Sequence, residues 1–336
     1  MSVKTKRVTL EDVAARARVS RATASRVIRG DQRVSPKKVK AVKSAVAELG
    51  YRPNSAARAL VTNRSGVTAV VIPEPDSRVF SDPFFARSVQ SLSSELGKVG
   101  SQAVLVFFST KEQSERTESF LSSGAVDGAI VLSHHRYTGE IERLLKASVP
   151  TVFIGRIEED TSAWVDSNNY AGGQLAARHL LNQGCARPAV VAGPADMIAG
   201  KDRLQGFLNE LESENIDSIV EPGAFTYASG YEAGKRLVSR LEVGEVDGIF
   251  SSSDLMAQGI FDAFKEAGAA LGPIPIVSFD NSPIAEELSL SSITNSTDQL
   301  AYEATKLLES RLTGTWNGEP VVLPINLVER TPRFSF

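Results

Sequence analysis

Residues 8–30 read VTLEDVAARARVSRATASRVIRG. Thr9 is a good helix N-cap, and Asp12, three residues on, completes the pattern of a capping box. Leu10, Val13, Ala14 and Ala17 then recur at i, i+3, i+4 and i+7, one face of a helix. Arg18 and Val19 make a short turn. Ser20 caps a second helix whose apolar stripe is Ala24, Val27 and Ile28, and Gly30 stops it. Further along, Ser35 as N-cap and Pro36 at the first helical position open a third helix. Its Val39, Val42, Val46 and Leu49 share one face, and Gly50 ends it. Two short helices joined by a tight turn and braced by a third make a helix-turn-helix unit. With the stripe of the second helix turned inward, Arg21, Ala22, Ser25, Arg26 and Arg29 face out. That surface suits a major groove, where Arg grips guanine O6 and N7. A plain three-helix bundle with a solvated basic face is the alternative.

Charge is distributed to match. Residues 1–65 hold sixteen Lys or Arg against four Asp or Glu, whereas the remainder holds twenty-one against thirty-six, for a net −3 over 336 residues. A basic head on an acidic body points to nucleic-acid contact by the head alone. A solubilising tail would have the charge but no apolar stripes. The single cysteine, Cys185, excludes a disulfide framework and fits a reducing compartment. Apolar runs such as Ala103–Phe108 are too short to span a bilayer, and Glu11 and Asp12 fall where a signal peptide needs an apolar core. The expected location is the cytoplasm, at the nucleoid.

From Gly66 onward the pattern changes. Short apolar runs (67–72, 103–108, 128–132, 151–154, 189–192, 248–250 and 274–279) alternate with amphipathic stretches (84–98, 170–182, 203–211 and 254–266). This alternation predicts parallel sheets with helices on both faces. The 271 residues of this region suit two sheets with a cleft between them better than one. Ligands in such folds sit beyond the carboxyl ends of the strands.

Enzyme signatures fail individually. GPADMIAGKD, from Gly193, has six residues between its glycines and Asp202 where a P-loop needs Ser or Thr. No GxGxxG follows the first strand, and no serine shows nucleophile-elbow spacing. His134 and His135, read as neighbours on a strand, point to opposite faces and make a poor metal pair. The expectation is a protein that is not an enzyme and has no cofactor or metal.

The head, VTLEDVAARARVSRATASRVIRGDQRVSPKKVKAVKSAVAELGYRPNSAARAL, closely resembles that of the lactose-repressor (LacI/GalR) family of bacterial transcription regulators. VSxxTxSRV and LGYRPNxxARxL carry the likeness. The stretches VDGAIVL, VDSNNYAGGQLAARHLLNQG, DRLQGF, SSSDLMAQGIFDAF and VSFDNSP extend it through the body. The resemblance implies a helix-turn-helix domain over 1–65 and an α/β body over 66–336. That body is similar to periplasmic sugar-binding proteins: two subdomains (about 66–165 plus 293–325, and 166–292), three crossovers, and pairing as a homodimer, with a tetramer also possible. Residues 54–62 read either as a flexible linker or, by the resemblance, as a hinge helix whose Leu60 wedges into the minor groove of the operator. Thr9, Ser20, Thr23 and Ser25 are implied at phosphates, Arg21, Ala22, Arg26 and Arg29 at bases, and Leu10, Tyr51, Asn54 and Ala57 beside them. Arg29 stands where relatives have Asn, and Ala24 where they have Val.

In the cleft the resemblance implies effector contacts from Arg203, Asp254, Asp280 and Phe225, the last as a stacking ring. Asp82, Phe84, Arg156 and Ser253 join them. Three departures fall here: Ser253 for Asn, Gly155 for Asp, and Ser81-Asp82-Pro83 for Asn-Pro. Ordinary roles stand beside these: Asp254 as a helix cap, Phe225 as core, Arg203 and Asp280 as an ion pair. A sugar or sugar derivative is the first expectation for the effector. A nucleoside or purine, a corepressor-driven regulator, or a non-catalytic sugar-binding protein with an incidental basic head are the others.

Overall fold

The computed structural model describes residues 8–28, 31, 33–51, 64–135, 139–158, 162–268 and 274–331. The chain divides into two compact units between Ser65 and Gly66.

In the first unit, α1 (Leu10–Arg16), α2 (Arg21–Ile28) and α3 (Pro36–Leu49) enclose a small core. Val13, Ala14, Ala24, Val27, Val42 and Ala45 are buried at its centre. The capping box forms: Thr9 N donates to Asp12 Oδ2 at 2.8 Å, and Asp12 N donates to Thr9 Oγ1 at 3.3 Å. Arg18 takes φ 53° to make the turn, and Gly50 takes φ 60° at the end of α3. Arg29, Asn54, Ala57, Leu60 and the hinge segment 54–62 lie outside the described residues.

The second unit contains two six-stranded sheets. The first has order β11-β5-β4-β3-β1-β2, from β1 (Val67–Ile72), β2 (Gln102–Phe107), β3 (Gly128–Leu132), β4 (Thr151–Ile154), β5 (Ala163–Ser167) and β11 (Val321–Leu323). Its neighbours all pair parallel, for example Thr68 with Gly128. The second has order β12-β10-β9-β8-β6-β7, from β6 (Pro188–Val191), β7 (Ile219–Glu221), β8 (Gly248–Ser251), β9 (Ile276–Asp280), β10 (Ser291–Thr294) and β12 (Leu327–Val328). Only β12 runs antiparallel, against β10.

Strand alternation divides each sheet's side chains between two helical layers. Val70, Ile72, Ile130, Leu132 and Val152 pack on α5 (Pro83–Lys98) and α13 (Thr297–Thr313). Val71, Val131 and Phe153 face α6 (Lys111–Leu121) and α7 (Glu140–Lys146). In the second sheet, Val190, Phe250, Val277 and Phe279 pack on α8 (Asn169–Asn182) and α9 (Ile198–Ser213). Ala189, Val191 and Ile249 pack on α10 (Tyr227–Glu242) and α11 (Asp254–Ala267). Two short helices, α4 (Asp76–Ser81) and α12 (Pro283–Glu287), complete the set.

Gly173 and Gly206 let α8 and α9 touch backbone to backbone. A Cβ on Gly206 would lie 2.0 Å from Tyr170 O, and one on Gly173 2.1 Å from Arg203 O.

The chain leaves the first sheet after Ser167, returns to it after Thr294, and leaves again after Leu323. The three crossings are tied together. Asn168 N donates to Leu323 O at 3.1 Å and Thr294 N to Asn326 O at 2.8 Å, while Ser167 Oγ donates to Asn295 Oδ1 at 2.8 Å.

Candidate functional site

The cleft lies beyond the carboxyl ends of the strands, where an α/β fold gathers loops and helix starts. It encloses about 800 Å³ of unfilled space, counting its open mouth. That is within the range of small-molecule sites. Asp82, Phe84, Arg156, Arg203, Phe225, Ser253 and Asp280 all line it. Ser133, Gly155, Phe225 and Asp280 on its wall have φ of 60°, 108°, 55° and 108°. Such backbone concentrates at binding sites, because the surrounding structure must hold it in place.

Arg203, on α9, is buried at 5% exposure. Its Nε donates to Asn169 Oδ1 at 2.8 Å, and its Nη1 donates to Ser252 O at 2.7 Å and lies 3.7 Å from Asp280 Oδ1. Its guanidinium sits 3.5 Å from the Phe279 ring centre and 5.2 Å from that of Phe225. Burial lowers its pKa, with Asp280 opposing. Phe225 therefore lines the cleft and backs Arg203 at once. Arg203 and Asp280 form an ion pair whose remaining edges face the cleft.

Arg156 follows β4 and reaches across to α9, where Nη2 donates to Asp202 Oδ2 at 2.5 Å. Its backbone N donates to Asp166 Oδ2 at 3.1 Å. Burial pushes Asp166 up to about 6. Asp82 caps α5 by accepting from Phe84 N at 2.9 Å, and burial pushes it, too, up to about 6.

Asp254 is placed differently from the other expected contacts. Ser253 is the cap of α11, its side chain accepting from Met256 N. Asp254 is 1% exposed and absent from the main cleft's wall, backing a smaller adjoining space. Its carboxylate accepts from Ser278 Oγ at 2.5 Å, Ser292 Oγ at 2.8 Å and Ser282 N at 2.6 Å. It braces β9, β10 and α12 against one another, and burial pushes it up to about 6.

The histidines require a correction. β3 ends at Leu132, and Ser133 at φ 60° turns the chain, so neither histidine is on a strand. His134 Nε2 donates to Gly155 O at 3.2 Å, while Nδ1 is buried without a partner. Burial lowers its pKa to about 4, so the ring is neutral. A Cβ at residue 155 would come 3.0 Å from His134 Nε2. Its φ of 108°, which side chains rarely adopt, together with this contact explains why glycine stands there. Cys185 is buried beside Gly248, and burial raises its thiol to about 11, an inert state.

Sequence reading passed over Arg78, His134, Asp166, Asn169, Met197 and Asn295, which also line the cleft. His134, Asn169 and Asn295 closely follow the ends of β3, β5 and β10, so applying the strand-end rule to every strand would have found those three.

In the first unit, Arg21, Ala22 and Arg26 are exposed on α2, and Thr23 and Ser25 are partly so. Arg21 Nε lies 2.8 Å from Glu11 Oε1, an exposed pair that is cheap to break. Thr9 and Ser20 are exposed, whereas Leu10 and Tyr51 are half-buried against the core. Thr9 Oγ1 donates to Asp12 Oδ2 at 2.8 Å, and the Ser20 and Thr23 hydroxyls bond each other at 2.9 Å.

Comparison with known proteins places both units. Residues 9–54 match the model for bacterial regulatory proteins of the lacI family, and residues 177–331 that for a periplasmic binding protein-like domain. The chain is 38% identical over 336 residues to the HTH-type transcriptional regulator CelR of Thermobifida fusca, covering 97% of this chain and 98% of the relative. It is 33% identical to the ribose operon repressor of Halalkalibacterium halodurans, covering 89% of each. Among solved structures, a CelR–cellobiose complex matches with TM-score 0.74 and 36% identity over 96% of this chain and 99% of that one. The lac repressor dimer bound to operator and the anti-inducer ONPF matches with TM-score 0.84 and 26% identity, covering 98% and 100%.

Proposed function

The chain belongs to the lacI family of bacterial regulatory proteins and is a DNA-binding transcriptional regulator; from that premise we propose that its effector is an uncharged disaccharide of the cellobiose type. One observation carries this reading. Among the described residues, every guanidinium lining the main cleft is already engaged by the protein's own acids: Arg203 near Asp280 (3.7 Å), Arg156 with Asp202 (2.5 Å) and Arg78 with Glu74 (2.8 Å). A phosphate or carboxylate on the ligand would find no unspent cation among the described lining residues. A polyhydroxyl ligand would find acceptors in the Asp side chains and rings in Phe84 and Phe225.

Arg21 and Arg26 would read base edges, and Ser20, Thr23 and Ser25 would hold phosphates. Two copies would pair on a near-palindromic operator. An exposed apolar strip supports pairing: Leu105 on the edge strand β2, with Phe80 at 79% exposure beside Phe107, which shares Leu105's face. The protein would act in the cytoplasm and return its sugar unchanged.

The test combines two assays. Genomic fragments captured by the full-length protein at about 150 mM salt, where non-specific phosphate binding is weak, should share a near-palindrome. Cellobiose should bind by calorimetry, with glucose 6-phosphate silent. Preference for the phosphorylated sugar or for adenosine would overturn the effector assignment; recovery of random fragments would overturn the reading of α2.

A further inference from the structure

His135 lies where the two subdomains face each other across the cleft. Glu74 follows β1 and His135 follows β3, both in the first sheet, whereas Asp196 belongs to the loop between β6 and α9, in the second. His135 Nε2 is 3.1 Å from Glu74 Oε1, and Nδ1 is 2.8 Å from Asp196 Oδ2. An ionised carboxylate oxygen only accepts, so a ring nitrogen bonded to it must carry hydrogen. Two such contacts require both N–H groups, hence an imidazolium. A neutral ring would aim a lone pair at one of the two acids.

The two acids differ in how they are held. Glu74 is 3% exposed, accepts from Ser133 Oγ at 2.6 Å and pairs with Arg78 Nη1 at 2.8 Å. It stays with His135 in the same subdomain. The Asp196 side chain is 44% exposed and travels with the other. Opening the cleft therefore strips one acid from His135 and leaves the other.

We propose that His135 is a proton-dependent clasp, so that closing the cleft takes up a proton and pH sets how firmly the effector is held. The proposal rests on the effector reading of the cleft. Among the described residues, the charged and titratable groups that face the ring include Glu74 and, behind it, Arg78 from α4; His134 on its own segment; and Asp196 across the cleft. His134 is neutral and does not compete, and Arg78 is spent on Glu74. The hydrogen bond to Glu74, and then Asp196, hold His135 above the ordinary imidazole range. A raised cation acid contributes fully below its open-state value, and that contribution is lost as pH rises through the closed-state value.

Two measurements on the full-length chain test this. The first is the NMR titration of its three histidines, labelled at Cε1, without added sugar. Asp196→Asn should move the His135 midpoint down; an unmoved midpoint overturns the clasp. The second is cellobiose affinity by calorimetry from pH 6 to 9. It should weaken by up to about tenfold per pH unit while pH lies between the open and closed values, and His135→Gln should flatten the profile. A flat wild-type profile overturns the clasp. If cellobiose binds at no pH, the effector reading falls instead, and the Asp196→Asn titration alone decides the clasp.

Discussion

Replacing Gly206 with alanine tests the packing that carries Arg203 into the cleft. In an exposed helix interior, Gly→Ala gains about 1 kcal/mol. At Gly206 the new Cβ would lie 2.0 Å from Tyr170 O, a backbone atom of the neighbouring helix. No rotamer change relieves that contact, so α8 and α9 must part. Overpacking costs about 1–3 kcal/mol and sometimes more; a backbone-on-backbone clash belongs at the upper end. The net expectation is a loss of about 2 kcal/mol, using about 3 kcal/mol for the clash against about 1 kcal/mol of helix gain. For a unit of this size that lowers the melting temperature by about 4–8 °C. Gly97 is the control. It is exposed near the end of α5, with nothing within 4 Å of a Cβ, so Gly97→Ala should leave the transition unchanged or raise it slightly. Thermal unfolding of both full-length variants, followed by far-UV circular dichroism, reads the difference. A Gly206→Ala protein that melts at or above wild type would refute the claim that these helices touch through their glycines.

Two other expectations follow from the body. Burial pushes Asp82 up to about 6, so the native state retains a proton that the unfolded chain has released, and ionised Asp82 opposes folding at higher pH. Asp82→Asn keeps a cap for α5; its melting temperature should exceed wild type at pH 8 and converge with it near pH 4, and an equal gap at both values would refute the assignment. Leu105→Asp puts a charge in the exposed strip on β2, so sedimentation should show a monomer and operator affinity should fall at least tenfold; an unchanged dimer would move the pairing face elsewhere.

The helical head was legible because its signals are local. Thr9 and Asp12 are three residues apart, and the stripes of α1, α2 and α3 repeat within single helices. The central strands were legible for a related reason: strands buried on both faces read as unbroken apolar runs. The edges were not. β5 reads AWVDS with alternating burial, and β11 and β12 are three and two residues long. Helix α9 starts at Ile198, five residues before the stretch read as helical, because its first turn is packed by Pro194 and Gly193 around Gly200 rather than marked by a side-chain cap. In the site, the family resemblance named Arg203, Asp280 and Arg156, all of which line the cleft. It misplaced Asp254, whose three donors come from residues 278, 282 and 292. Nothing within the stretch SSSDLMA announces partners that far along the chain. Gly155 was visible as a departure, but its reason, the close approach of His134, exists only in three dimensions.

The crossings between sheets also govern how the chain must be made. The first sheet's inner face is covered by α13, through Leu300, Ala304, Leu307 and Leu308 against Val70, Ile130 and Val152. Those covering residues, and the strand β11, are synthesised after the whole of β6 through β10. On the ribosome the first five strands emerge with this face covered by α5 but not by α13, and the part that α13 covers waits while the entire second sheet is translated. The nascent chain thus carries a partly uncovered apolar face from the end of β5 until α13 is made. Truncation before residue 297 yields a protein that lacks the first sheet's lid rather than a smaller working one.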